Sequence, residues 1–135
     1  MSRRINIFKT KLDGLCILQR NTIGDERGYL ERLFCVDELG TLFLGKNIKQ
    51  INHTVTDARF TVRGMHFQHT PQAEVKIVTC LRGEVFDVAV DLRQGSPTFL
   101  HWHAQLLNAH NHRSLLIPEG FAHGFQSLTA QCEMI

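Results

Sequence analysis

Two histidines and a lysine stand in surroundings that suit removal of a proton beside a carbonyl. His66 lies in Arg63-Gly64-Met65-His66-Phe67-Gln68, His123 in Ile117-Pro118-Glu119-Gly120-Phe121-Ala122-His123-Gly124-Phe125, and Lys76 in the apolar Val75-Lys76-Ile77-Val78. An imidazole titrates near neutrality and can act as a general base, contributing a factor of about 10²–10⁴. The enolate left behind needs a positive partner, which a lysine fixed on a strand supplies. Asp87 could orient a histidine and stabilise its charged form, or could equally pair with a neighbouring cation. Arg27 and Arg63 stand beside glycines and could clamp a phosphate bidentately, although Arg27 alone reads as a solvated surface residue. Taken singly, each of His66, Lys76 and His123 is as well explained by an ordinary satisfied polar group. Convergence is what would make them a site.

Eight histidines also raise the question of a metal. His66, His69 and His123 are the one set that competes as a transition-metal site. On a regular strand, however, His66 and His69 face opposite ways. His101 and His103 share a face without an acidic ligand nearby, and His110 and His112 lie in the polar loop Asn108–Arg113. Solvated strand edge or loop is the expected home of these four. No phosphate-binding glycine loop, nucleophile elbow or Cys-x-x-Cys pair is present.

The elements that must position these groups read as strands. Phe60, Thr61 and Val62 are the types that fit a pleated surface. Alternation then puts Gly64, His66 and Gln68 on one polar face with room for a ligand, and Met65 and Phe67 on an apolar one. Ile5–Phe8 and Leu15–Leu18 read as an opening pair of strands, and Tyr29–Phe34 as another strand. Ile48–Thr56 resembles a strand with Gln50 and Asn52 on one side. Val75–Leu81 and Val85–Leu92, turned at Arg82-Gly83, make the strongest hairpin signal. On its second arm Val85, Asp87, Ala89 and Asp91 share a face. Thr98–Leu107 and Ser114–Ile117 are further strands. Only Val36–Leu44 has helical spacing, weakened by Gly40. Many short strands between turns, with one brief helix, predict an all-β sandwich or barrel with a ligand held inside.

At 135 residues, 43% hydrophobic and 21% charged, the chain is expected to be a single domain. A net charge of +2 gives no reason to expect nucleic acid or a membrane surface. No apolar run approaches a membrane span, and Met1-Ser2-Arg3-Arg4-Ile5 does not open a signal peptide, so the cytoplasm is expected. Cys16, Cys35, Cys80 and Cys132 are scattered and read as free, mostly buried thiols.

Several stretches, in order and at matching spacing, resemble the dTDP-4-dehydrorhamnose 3,5-epimerase family. They are Asp25-Glu26-Arg27-Gly28-Tyr29, Gln50-Ile51-Asn52, Arg63–Gln68, Lys76-Ile77-Val78, Gly83–Arg93, Gly95-Ser96-Pro97-Thr98 and Ile117–Phe125. The resemblance covers about Leu15 to Phe125. It implies a cupin jelly-roll barrel, a homodimer, and neither a metal nor an organic cofactor. It further implies that a nucleotide-linked 4-keto-6-deoxy sugar, in rhamnose-type biosynthesis, is deprotonated beside its ketone and reprotonated on the other face. By position His66 would be the base and Lys76 the stabiliser of the enolate oxygen, with His123 and Asp87 in support. Arg63, Gln50 and Asn52 would hold the nucleotide and its diphosphate, with Gln68 also on the substrate-binding face. Arg27, Tyr29 and Glu31 would reach in from the partner subunit.

The resemblance also carries a departure. Family members continue with a tyrosine that acts as general acid and an aspartate that pairs with the catalytic histidine. The present sequence ends at Cys132-Glu133-Met134-Ile135, and Tyr29 is its one tyrosine. The expectation is one cupin epimerase-like domain over 1–135 lacking the family's C-terminal segment, cut in mid-strand. The alternative is a sugar-nucleotide binding cupin with impaired turnover. A metal-dependent cupin oxygenase is the third reading.

Overall fold

The computed structural model describes residues 2–135. Its strands are β1 (Ile5–Lys9), β2 (Cys16–Arg20), β3 (Ile23–Asp25), β4 (Gly28–Leu30), β5 (Thr54–Thr56) and β6 (Val62–His66). They continue as β7 (Lys76–Arg82), β8 (Glu84–Asp91), β9 (Trp102–Asn108), β10 (Arg113–Ile117), β11 (Phe121–Ser127) and β12 (Cys132–Met134). One sheet runs β1-β2-β10-β7-β12-β5, a second runs β6-β11-β8-β9, and β3 and β4 form a separate hairpin. All pairings are antiparallel. The expected all-β architecture is present.

The apolar run Leu115-Leu116-Ile117 shows how the layers meet. Leu115 and Ile117 pack with Leu12, Leu15, Ala89 and Phe121, whereas Leu116 packs on the opposite side with Ile5, Leu18, Leu39 and Phe43. A strand covered on both faces reads as a continuous apolar stretch. Leu39 and Phe43 come from the one helical segment, an α turn at Val36–Leu39 continued by a 3-10 turn at Gly40–Phe43. The change of helix type falls at Gly40, where the sequence is weakest. Glu38 ties this segment to the start of β1 by accepting the backbone N–H groups of Arg4 and Ile5, both at 2.8 Å.

Several expectations need correction. The segments read as the best hairpin, β7 and β8, do not pair. β7 lies between β10 and β12, and β8 between β11 and β9. The turn at Gly83 therefore carries the chain from one sheet to the other. A Cβ on Gly83 would stand 2.4 Å from Thr129 Oγ1 and 2.8 Å from Cys132 Sγ, so glycine is required at this crossing. Only Thr54–Thr56 of the span Ile48–Thr56 is strand, and Gln50 and Asn52 lie on exposed irregular chain before it. Strand β4 stops at Leu30, short of Phe34, and β9 starts at Trp102, because residues 96–101 turn. Met65 and Phe67 do not face apolar packing, being 47% and 45% exposed. Strand β6 is the edge of its sheet, and among the described residues no strand pairs with its outer side.

Candidate active site

Strand β11 is the backbone of the site. Its neighbour β8 alternates as the sequence predicts, with Val85, Asp87, Ala89 and Asp91 all buried. His123 stands opposite Ala89 and Phe125 opposite Asp87, so the two polar groups are diagonal neighbours on the inner face. The His123 ring nitrogen Nε2 lies 2.9 Å from both carboxylate oxygens of Asp87. Burial pushes the Asp87 carboxyl above the ordinary carboxylate range, and the bond to His123 pulls it back part of the way. Asp87 is thus an orienter of His123. Its partner is not His66.

On the other side of β11, His66 is the direct register partner of His123. Arg63 is paired with Phe125, so Gly64 and Met65 on β6 oppose Gly124 alone on β11. Two residues against one is a β-bulge. It breaks simple alternation and brings Arg63 and His66, three apart, to one pocket. The bulge depends on glycine. Gly64 has φ +110°, and a Cβ there would meet Gly124 Cα at 2.7 Å and the His123 carbonyl oxygen at 2.8 Å.

The pocket has a volume of about 460 Å³ and is lined by Thr54, Arg63, Gly64, His66, His123 and Phe125, among others. Arg63 is braced by strand β5: Nε donates to Thr56 Oγ1 at 2.9 Å and Nη2 to the Val55 carbonyl at 3.1 Å. Lys76 begins β7 in the facing sheet, with Nζ 3.5 Å from Glu74. Glu74 also accepts from Gln68 Nε2 at 2.6 Å. Glu74 therefore links two expected site residues, though neither of them lines this pocket.

The remaining candidates lie elsewhere in the chain. Gln50 and Asn52 do not line the pocket. Arg27 sits at the exposed tip of the β3–β4 hairpin and pairs with Asp25 at 2.5 Å. Tyr29 packs edge-on against His112, with ring centroids 5.2 Å apart. Glu31 accepts from Arg20 Nε at 2.7 Å and lies 3.0 Å from His112 Nδ1. Arg20 also donates to Ser114, whose hydroxyl bonds Thr79 at 2.6 Å. His112 is therefore not the solvated loop histidine expected from sequence, but part of a network under the hairpin.

Asp91, the second carboxylate on the β8 wall, serves structure. Burial would raise it, but bonds from Arg93, Ser96 and Thr98 outweigh burial and hold it well below the usual carboxylate range. Among the described residues, no group of three or more His, Cys, Asp or Glu is arranged to hold a metal ion. The trio His66, His69 and His123 is not brought together: His69 packs edge-on against Phe67. Likewise, no helix among them is long and apolar enough to cross a membrane.

Comparison with known proteins identifies the family and the fold. The dTDP-4-dehydrorhamnose 3,5-epimerase of Shigella flexneri is 41% identical over 133 residues, covering 97% of this chain and 72% of its own length. That of Methanothermobacter thermautotrophicus is 42% identical over 126 residues, covering 93% of this chain and 66% of its own. The Bacillus anthracis enzyme, solved with TDP and PPi bound, superposes with a TM-score of 0.91 at 36% identity. The superposition covers 96% of this chain and 74% of that one. A Legionella pneumophila dTDP-6-deoxy-D-glucose-3,5-epimerase in complex with dTDP-4-keto-L-rhamnose gives 0.90 at 40% identity, over 96% and 69%. The two sheets are the jelly roll shared with these enzymes. The sequence pattern of one family, described as dTDP-4-dehydrorhamnose 3,5-epimerase, matches residues 9–135, and the chain belongs to that family.

Proposed function

We propose that this protein epimerises a dTDP-linked 4-keto-6-deoxy sugar at carbon 3, carbon 5 or both, in deoxysugar biosynthesis. The observation that carries the reading is the pairing of His66 with His123 across β6 and β11, in one pocket with Arg63. His66 is the base. Its imidazole takes the proton from the carbon beside the ketone, and the C–H electron pair moves into the C–C bond as the carbonyl becomes an enolate. Lys76 is the ammonium group that stabilises the enolate oxygen. A proton from solvent added to the opposite face of the same carbon completes the inversion as the enolate collapses to the ketone, and His66 gives its own proton up to solvent. His123, oriented by Asp87, supports the reacting part of the sugar, and Arg63 holds the diphosphate.

Gln50, Asn52 and Gln68 complete substrate binding in this reading, and a second copy of the chain brings Arg27, Tyr29 and Glu31 to the site. The exposed β3–β4 hairpin favours that arrangement, since β3 and β4 pair only with each other. The outer face of the β6–β9 sheet does so too, because it leaves Phe86, Leu106 and Trp102 exposed in a lone chain. The dimer works in the cytoplasm. The reaction is tested by incubating the keto sugar nucleotide with the protein in D₂O and reading the sugar's mass. A gain of one deuterium marks one exchanging centre and a gain of two marks both. No exchange would sink the reading.

A further inference from the structure

Thr54 is a pocket residue with no part in the proposed proton transfer. Among the described residues its Oγ1 is the one buried side-chain nitrogen or oxygen without a hydrogen-bond partner. The same residue lines the cavity with Arg63, His66 and His123. Thr56, two residues on and so on the same face of β5, accepts a hydrogen bond from Arg63 Nε at 2.9 Å. One strand therefore braces the pocket's guanidinium with one threonine and leaves the next threonine unsatisfied.

We propose that Thr54 binds the substrate's diphosphate, its hydroxyl donating to a phosphate oxygen held by Arg63. The assignment rests on the nucleotide-sugar reading above. A buried hydroxyl with no partner carries a desolvation penalty, so proteins rarely retain one without a use for it. A turn of one third about χ1 puts a threonine's hydroxyl where its methyl stood and the methyl where Hβ stood, and leads from one staggered rotamer to another. With an anion at Arg63, that turn gives the hydroxyl a charged acceptor, the stronger class of hydrogen bond. Without the anion the hydroxyl stays against the wall. The penalty is thus present in the free protein and relieved in the complex, which widens the difference between the two states.

Titration of the full chain with dTDP, alongside thermal unfolding without nucleotide, tests this for Thr54→Val and Thr54→Ser. The valine variant should bind dTDP about tenfold or more weakly, as expected for loss of a bond to a charged acceptor. Its unliganded melting temperature should equal or exceed that of the unaltered protein, because a methyl replaces an unpaired hydroxyl. The serine variant should bind as the unaltered protein does. Equal dTDP binding by the valine variant, or a clear drop in its unliganded melting temperature, would overturn this assignment alone. Failure of the unaltered protein to bind dTDP would overturn the nucleotide reading and the assignment together.

Discussion

Replacing Gly64 by alanine tests the bulge on which the pocket depends. A Cβ at residue 64 would stand 2.7 Å from Gly124 Cα and 2.8 Å from the His123 carbonyl oxygen, both of them backbone atoms that cannot rotate aside. The residue also has φ +110°, where a side chain is strained whatever the space. Left-handed strain costs about 1–2 kcal/mol, and forcing a methyl into packed backbone about 1–3 kcal/mol more. Gly95→Ala is the control, because Gly95 has φ +80° but nothing within 4 Å of the added Cβ. It should show the strain alone. The difference between the variants is then about 1–3 kcal/mol, or roughly 4–12 °C in melting temperature for a domain of this size. Unfolding measured by circular dichroism reads it directly. Moving β6 off β11 also separates His66 from its partner, and a displacement near 1 Å costs about 10² in rate. Gly64→Ala should therefore lose about that much in kcat/KM while Gly95→Ala retains its activity. If the two variants melt alike and turn over alike, the close approach at Gly64 is not what holds the site.

Two further predictions concern the paired carboxylates of β8. Burial raises Asp87, so the folded chain keeps a proton that the unfolded chain has already released above about pH 4. Stability should fall as pH rises through that window, and Asp87→Asn should flatten the decline in urea unfolding measured from pH 4 to 7. A variant that kept the slope would remove Asp87 as its source. Asp91 behaves oppositely: its contribution is complete above about pH 4 and shrinks progressively as pH falls from there toward the group's own, strongly depressed value. Asp91→Asn should cost about 2–4 kcal/mol at pH 7 through the bonds to Arg93, Ser96 and Thr98, and clearly less, though not nothing, near pH 2. An equal loss at both pH values would contradict this assignment.

Period-two alternation in the sequence separated the two faces of β8 and put Asp87 and Asp91 on one of them, because that strand is regular, but only the structure shows that this face is the buried one. It could not show that β7 and β8 belong to different sheets. A strand pattern names a face and not a partner, and an Arg-Gly turn serves a sheet crossing as well as a hairpin. The Gly64 bulge was hidden for a related reason: a glycine next to a histidine marks freedom of the backbone but not the residue count on the opposing strand. That count is what places Arg63 beside His66. The Glu31–Arg20–His112 network was also illegible, since its members come from β2, the end of the hairpin and the loop before β10. Thr54 carried no signal beyond β propensity. Only knowledge of which hydroxyls find partners singles it out.

In the proposed reaction His66 takes the proton and His123, held by Asp87, does not. Solvent deuterium exchange into the keto sugar nucleotide, compared for His66→Asn and His123→Asn, separates the two roles. His66→Asn should lower the exchange rate by about 10²–10⁴, while His123→Asn should slow exchange less and still show wash-in at carbon. Exchange that survives in His66→Asn and vanishes in His123→Asn would contradict it.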